Sequence, residues 1–252
     1  MTGCYSARRP ERKDHRMRRF PFVLALLVCL AGCAGGGPAT PAAPATVQSA
    51  PVSPFIARGN EPGWRLDIEG DRMTFVGQDG RRVAAAVPGA QRTEAFTRYA
   101  ATDLTVTILN KRCRDTMTGM HHPQAVEVVL DGRKLAGCGG DPATLLQGAE
   151  WTVTDIAGKG LVGGSRATLN FGRDGRVYGR SSCNNYTAEY SVTGEGLSVS
   201  KAAGTMMACE PALMQQEGVF LDVLRNIRSF DFRDDGALVL RTADGRTIVA
   251  RR

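Results

Sequence analysis

Five Asp-Gly pairs, spread through both halves of the chain, are the sequence feature that most limits what the chain can fold into. They are Asp79-Gly80, Asp131-Gly132, Asp174-Gly175, Asp235-Gly236 and Asp244-Gly245. Asp-Gly favours the tight turns of β-hairpins because glycine adopts positive φ without steric cost. The runs between the pairs alternate apolar and polar residues, which is the period of a half-buried strand. The pattern predicts antiparallel sheets built from hairpins.

The period changes only once after the leader. Leu213, Phe220, Leu224 and Ile227 fall on one stripe at helical spacing, and Pro211 stands at a plausible first helical position. A lone amphipathic helix beside a small sheet is expected to cover a face of that sheet. At the start of the second segment, alternation predicts that Trp151, Val153 and Asp155 share one strand face and Ile156 the other.

The first 32 residues have the composition of a signal peptide. Arg18 and Arg19 precede an uncharged apolar run of 13 residues, Phe20–Gly32, which is too short for the ~20 residues of a membrane-spanning helix. The sequence Leu30-Ala31-Gly32-Cys33 closes the run and resembles the bacterial lipobox. It predicts cleavage before Cys33 and a lipid on that cysteine. Met17 begins a compact leader by itself, so the true start is expected at Met1 or Met17.

Residues 33–54 are mostly Ala, Gly, Pro, Thr and Ser, a composition that cannot bury enough apolar surface to fold. They predict a linker reaching at most ~60 Å, at about 3.1 Å per residue for a proline-rich chain. Two folded segments are expected after it, 55–143 and 148–252. The predicted fold class is therefore α+β, with two small β-rich domains, of which the C-terminal one is an antiparallel sheet covered by one helix.

The net charge of +7 is concentrated in the leader, which carries seven basic and two acidic residues. The remaining chain has a net charge of only +2, so no nucleic-acid partner is expected. Of the seven cysteines, four lie beyond Cys33, and an even number in an oxidising compartment indicates disulfides. Of the three possible pairings, Cys113–Cys138 with Cys183–Cys209 is the one that keeps both bonds within a segment.

Several motifs in the second segment resemble the META domain family, which includes HslJ-like envelope lipoproteins. They are Trp151, Ser182-Cys183-Asn184-Asn185-Tyr186, Thr205-Met206-Met207-Ala208-Cys209, then Glu217 with Phe220 and Leu224, and finally Leu238-Val239-Leu240. The resemblance covers Gly148 to Arg252 and implies an antiparallel sheet with a helix and a link to envelope stress. It implies no catalytic residues.

The first segment resembles small lipoprotein domains related to lysozyme inhibitors and copper-stress lipoproteins. The resemblance rests on the motifs Gly59-Asn60-Glu61-Pro62-Gly63-Trp64, Cys113–Gly119 and Gly137-Cys138-Gly139-Gly140. The family pattern often has an aromatic residue where this chain has Gly63. The Cys-x-x-Cys pair of the copper-stress proteins and the Ser-Gly-rich loop of the inhibitors are absent from the sequence. What the resemblance implies is therefore the fold.

Catalytic and metal sites are not expected. His121 and His122 are the only histidines after the leader, and adjacent residues on extended chain point to opposite faces, so we expect solvated side chains and no shared metal. Cys113 or Cys183 as a nucleophile would need a neighbouring base, and the second segment has no histidine. The acidic residues form no evident pair. No cofactor is predicted.

The sequence thus predicts a non-catalytic lipoprotein of the cell envelope, held in a membrane by lipid on Cys33. Ala34 after the lipidated cysteine resembles the pattern of outer-membrane sorting, facing the periplasm. Its expected role is binding or structural, in envelope maintenance or stress, with an envelope protein or wall component as partner. The alternative is an inhibitor of a wall hydrolase such as lysozyme, using the loop 114–123.

Overall fold

The structure, a computed structural model, describes residues 54–252. The predicted signal peptide, Cys33 and all but the last residue of the predicted linker lie outside the described residues. Both predicted folded segments belong to one compact unit. The described residues are mostly β-strand, with one α-helix and one short 3-10 helix.

The first segment forms a nine-stranded antiparallel sheet and a separate two-stranded ribbon. Its strands are β1 (Phe55–Asn60), β2 (Gly63–Glu69), β3 (Arg72–Gly77), β4 (Arg82–Ala86), β5 (Gln91–Arg92), β6 (Phe96–Ala100), β7 (Leu104–Leu109), β8 (Cys113–Arg114), β9 (His121–His122), β10 (Gln124–Leu130) and β11 (Arg133–Gly139). The sheet order is β4-β3-β2-β1-β11-β10-β7-β6-β5, and β8 pairs with β9. Alternate residues of these strands bury a single apolar cluster.

A 3-10 helix, Pro142–Leu145, leads into the second segment. Its strands are β12 (Trp151–Ile156), β13 (Lys159–Gly160), β14 (Arg166–Phe171), β15 (Arg176–Ser182), β16 (Asn185–Thr193), β17 (Gly196–Val199), β18 (Ala203–Gly204), β19 (Ile227–Phe232), β20 (Leu238–Thr242) and β21 (Thr247–Arg251), and its helix is α1 (Pro211–Arg225). The main order is β17-β16-β15-β14-β12-β21-β20-β19, with β13 on β12 and β18 on β16.

The second sheet curls until its two end strands approach each other. A Cβ at Gly196, where β17 begins, would lie 2.1 Å from the carbonyl oxygen of Arg228 on β19, so only glycine fits there. Helix α1 places Phe220, Val223 and Leu224 in the apolar core of this sheet. The helix therefore packs on the sheet as predicted, although Ile227, the last residue of the predicted stripe, belongs to β19.

All five Asp-Gly pairs lie in hairpin turns. Asp131 and Gly132 form a two-residue turn in which both residues have positive φ. The other four pairs end three-residue turns with the glycine at φ of 77–87°. In each of these four, the aspartate Oδ1 accepts a hydrogen bond of 3.0–3.3 Å from the backbone N–H two residues later. The carboxylate stabilises the turn and the glycine permits its geometry, which explains why the pair recurs.

One face assignment from the sequence is wrong. The register of β12 against β21 shifts between Val153 and Asp155, which is a β-bulge. The extra residue turns Ile156 to the same side as Trp151 and Val153, and all three lie in the core. Strict alternation assigns Ile156 to the opposite face, because a β-bulge that inserts one residue into the strand leaves no mark in the apolar–polar pattern.

Candidate functional site

The segment Lys111–Pro123, here called the junction loop, is built around one carboxylate and one disulfide. Asp115 accepts hydrogen bonds from the backbone N–H of Met117 (3.0 Å) and Thr118 (2.7 Å) and from Asn60 Nδ2 (3.2 Å). Partial burial alone would raise the pKa of Asp115, but these hydrogen bonds lower it below its ordinary value. The Cys113–Cys138 disulfide joins the start of the loop to β11. The loop is therefore fixed at its base and internally ordered.

His121, at the far end of the junction loop, contacts the second segment. Its Nε2 lies 2.7 Å from Asp231 Oδ1 on β19, and its ring packs edge-on against Phe232 at a centroid distance of 5.6 Å. Only 14% of its side chain is exposed, so the expectation of a solvated histidine is wrong for this residue. His122 points elsewhere, with Nδ1 3.1 Å from the carbonyl oxygen of Gly140. The two rings therefore have different partners.

Three further side chains of the junction loop contact the second segment, and one of them is Arg114, whose guanidinium lies 3.9 Å from Asp231 Oδ2. Met120 is 9% exposed and belongs to the same apolar cluster as Leu146 and Trp151. The guanidinium of Arg112 lies 4.6 Å from the ring centroid of Phe232, within the range of a cation–π interaction. Together, these contacts join the loop of one sheet to the core of the other. The sequence carried no signal for them, because the loop has no periodicity that predicts a buried face.

We expect His121→Ala to destabilise the chain by about 1–2 kcal/mol at pH 7, since it removes a hydrogen bond to a charged group. Burial raises the pKa of Asp231. The hydrogen bonds from His121 and from the Phe232 N–H lower the pKa by a larger amount, so the net pKa lies below the ordinary value of 3.8. A lowered folded pKa stabilises the fold above the unfolded pKa, and this contribution disappears as the pH falls through the folded pKa.

Urea unfolding at pH 7 and pH 3 measures this contribution. The difference between wild type and His121→Ala should shrink at the lower pH, whereas His122→Ala, which removes a hydrogen bond to a carbonyl, should keep its own difference. Equal pH dependence in the two variants would show that the Asp231 contact adds nothing to stability.

A second constellation surrounds Glu217 on α1. Its Oε2 accepts hydrogen bonds from Ser181 Oγ (2.7 Å) and the Asn184 backbone N–H (2.7 Å), and its Oε1 accepts one from Asn184 Nδ2 (3.0 Å). Burial raises the pKa of Glu217, but these donors lower it to a net value below the ordinary one. Ser181 and Asn184 are almost fully buried, at 0% and 5% exposure. The carboxylate is engaged in holding the β15–β16 turn onto the helix.

Asn184 extends the same network to the segment before the helix. Its Oδ1 accepts hydrogen bonds from Thr205 Oγ1 (2.7 Å) and from the Met207 backbone N–H (2.8 Å). The Cys183–Cys209 disulfide crosses the same gap, with a Cα–Cα distance of 6.1 Å. The motifs around Cys183 and Cys209 therefore meet in space. Because both cysteines are oxidised, as are Cys113 and Cys138, none of the four supplies a thiolate nucleophile in this structure.

The first sheet has a mouth at one end, framed by four hairpin turns. They are the β1–β2, β3–β4, β6–β7 and β10–β11 turns, which antiparallel order places at the same end. A cavity of about 410 Å³ opens there against Trp64, Phe75, Leu130 and Leu135. The rings of Trp64 and Phe75 are stacked at a centroid distance of 6.0 Å. An ion pair between Arg81 and Asp131 joins two of the turns.

Glycines explain how Trp64 fits into this end of the sheet. A Cβ at Gly59 would lie 2.2 Å from Trp64 Nε1, and one at Gly137 would lie 2.6 Å from Trp64 Cζ2. Both residues therefore have to be glycine for the indole to occupy this position. The sequence singled out Trp64 without a role, and it gave no reason to group Trp64 with Phe75.

Residues 54–252 contain no group of three or more His, Cys, Asp or Glu side chains placed to hold a metal ion. No helix in this range is long and apolar enough to cross a membrane.

The chain was compared with curated proteins, solved structures and protein-family models. No curated protein matches the chain. One solved structure, described as an NMR structure of the protein from Burkholderia xenovorans, is 27% identical, covers 44% of this chain and 85% of its own, and has a TM-score of 0.36. Another, described as an NMR structure of the protein, is 21% identical, covers 43% and 92%, and has the same TM-score. The resemblance inferred from the sequence motifs is confirmed for the C-terminal part, because residues 144–252 match the family model of the META domain.

Proposed function

We propose that this chain is a non-catalytic lipoprotein of the cell envelope, anchored by lipid on Cys33 in the outer membrane and facing the periplasm. Its role is to bind an envelope protein or a wall component during envelope maintenance or stress. The META match at 144–252 supports an envelope-associated role. The lipobox at Leu30–Cys33 and the linker that follows support the anchor.

The observation that carries the binding role is the coupling of the two sheets. Met120, His121 and Arg112 attach the junction loop to the second segment through an apolar contact, a charged hydrogen bond and a cation–π contact. Two uncoupled modules would sample many relative orientations, whereas coupled modules present one surface of fixed geometry. Fixed geometry lowers the entropy cost of binding, and the tether raises the local concentration of the surface.

The alternative function, inhibition of a wall hydrolase, would use the loop 114–123, and part of this loop is not available for binding. Within the loop 114–123, Met120 and His121 face the second segment and are unavailable for insertion into a hydrolase. The tip around Met117, which is 77% exposed, is what remains for such a role. Assay of the mature protein with c-type lysozyme decides it, since unchanged lytic activity at a micromolar excess would end this alternative.

The anchor is tested by Cys33→Ser, which should abolish acyl labelling and move the protein out of the membrane fraction or leave it uncleaved. Cys29→Ser is the matched control, because Cys29 lies in the leader and is removed with it. Labelling of intact cells with a fatty-acid analogue, followed by fractionation, gives both readouts. If Cys33→Ser is labelled and fractionates like Cys29→Ser, the anchor assignment is wrong.

The partner is sought by cross-linking the anchored protein in its native envelope, with and without heat or cell-wall stress. Disrupting the junction with Met120→Ala should reduce recovery of any partner that contacts both segments, while Met117→Ala on the same loop should not alter the coupling. Recovery that is identical in the two variants and wild type would show that the coupled surface is not the one used.

A further inference from the structure

We propose that the mouth of the first sheet binds the chain of a single-chain acidic amphiphile, such as a fatty acid. This proposal goes beyond the anchor and the coupled surface and does not depend on either. It rests on the lining of the cavity, on the charges around its rim, and on the cost of inserting that rim into a bilayer.

The lining of the mouth suits an alkyl chain. Trp64, Phe75 and Leu130 are each at least 94% buried and form an apolar floor that reaches the core of the sheet, and Leu135 is partly buried beside them. Trp64 and Phe75 stack on each other, and both line the cavity together with the two leucines. The volume of about 410 Å³ falls within the range of roughly 300–1,000 Å³ that small-molecule sites occupy.

The rim of the mouth has one cation without a carboxylate partner. Arg81 is paired with Asp131, and its pKa is raised by that pair and by the nearby Asp79 and Asp103. Arg133 lines the same cavity and makes no ion pair with any residue in the range 54–252. A guanidinium binds a carboxylate with two parallel hydrogen bonds. Arg133 is therefore the group available to the head of an acidic amphiphile whose chain lies on Trp64.

The charges on the rim indicate that the ligand binds from solution and not from within the bilayer. Asp79, Arg81, Asp131 and Arg133 surround the opening, and charged side chains are costly to insert into hydrocarbon. We therefore expect that the mouth does not insert into a membrane to bind a lipid tail. A single-chain amphiphile in solution reaches it without that cost.

Titration with sodium octanoate and sodium decanoate, below their micelle concentrations, tests the proposal on the chain from Ala34 onward. Tryptophan fluorescence reports binding, and Trp151→Phe assigns the signal, since the chain has only the two tryptophans Trp64 and Trp151. Calorimetry on the unaltered sequence provides a second readout. Binding should saturate and tighten by about four-fold per added methylene, which corresponds to ~0.8 kcal/mol for each buried CH₂. Absence of saturable binding, or binding independent of chain length, would overturn the proposal.

Variants locate the site. Leu135→Glu places a charge in the apolar floor and should weaken decanoate binding at least ten-fold. Val87→Glu is its matched control, because Val87 is also partly buried against the same core but lies at the opposite end of the sheet. Arg133→Gln should weaken binding a few-fold by removing the partner of the carboxylate. Equal binding by Leu135→Glu and Val87→Glu would contradict the assignment of the site to the mouth. An unchanged affinity in Arg133→Gln would contradict the assignment of Arg133 as the partner of the carboxylate.

Vesicles of phosphatidylethanolamine and phosphatidylglycerol test the source of the chain. The unlipidated protein should not float with them, and decanoate binding should be unaffected by their presence. Flotation that Leu135→Glu abolishes would show that the mouth takes bilayer lipid and would overturn the inference about a soluble amphiphile.

Discussion

Replacing Glu217 by alanine should lower the free energy of unfolding by about 2–4 kcal/mol, since it removes an acceptor from three buried donors, and a buried donor left unpaired costs about 1–3 kcal/mol. The donors are Ser181 Oγ, the Asn184 backbone N–H and Asn184 Nδ2, and all three lie on residues that are at most 5% exposed. Water does not reach them readily in the folded protein. Ser181 Oγ retains the Asn184 carbonyl oxygen as an acceptor at 2.8 Å, and Asn184 Nδ2 retains the Met207 carbonyl oxygen at 3.4 Å. The full desolvation cost should therefore fall on the Asn184 backbone N–H.

The consequence should extend beyond the helix. Glu217 holds Asn184, and Asn184 in turn holds Thr205 and the backbone of Met207. Without the carboxylate, we expect faster amide exchange at the β15–β16 turn and in the segment that ends at Cys209, although the disulfide keeps its two ends together. Glu217→Gln retains an acceptor and should fall between wild type and Glu217→Ala.

Urea unfolding at pH 7, with hydrogen exchange to locate the change, measures this prediction. Glu195→Ala is the matched control, because Glu195 is exposed in the β16–β17 turn and its side chain makes no ion pair with the residues described. The lowered pKa of Glu217 adds a second signature. Its stabilising contribution should be present above the unfolded pKa and lost as the pH falls through the folded pKa, so the two variants should converge in acid. A Glu217→Ala protein as stable as Glu195→Ala would exclude the network from the stability of the fold.

Local signals in the sequence predicted the strands and turns well. The Asp-Gly pairs predicted hairpins because a turn is determined by the residues within it, namely a glycine at positive φ and a carboxylate that reaches a backbone N–H two residues on. The disulfide pairs present, Cys113–Cys138 and Cys183–Cys209, are those expected from keeping each bond within a segment. The turns could be predicted because their residues are adjacent in sequence. The disulfide pairing could be predicted because the chain divides into two segments with two cysteines each.

The contacts that shape the candidate sites are of another kind. Asp231 is 110 residues from His121, and nothing in the composition of either neighbourhood indicates that they meet. Glu217 was recognised as part of a motif, but its role depends on the φ of 106° at Ser182 and on the turn that presents Asn184 to the helix. The bulge in β12 is invisible to alternation. These contacts and the bulge depend on how the strands and the helix pack against each other, and patterns of neighbouring residues do not encode that packing.

The division into two segments can be tested at Met120, a residue of the first segment that lies in the core of the second. Met120→Ala should destabilise the chain by about 2–4 kcal/mol, because it removes buried atoms and leaves a cavity in the apolar cluster that includes Leu146 and Trp151. Met117→Ala, three residues earlier in the same loop, removes a side chain that is 77% exposed and should change stability by less than about 0.5 kcal/mol.

The location of the effect is the informative part. If the junction loop couples the segments, Met120→Ala should reduce amide protection in 148–252 and not only around the loop itself, because the lost atoms belong to that core. The isolated segment Gly148–Arg252 should then melt cooperatively but at a lower temperature than the same residues in the full chain, since it lacks Met120 and the partner of Asp231. If instead Met120→Ala matches Met117→Ala and the isolated segment is as stable as the full chain, the segments fold independently. The junction would then be a contact between two finished domains, as the boundary inferred from the sequence implies.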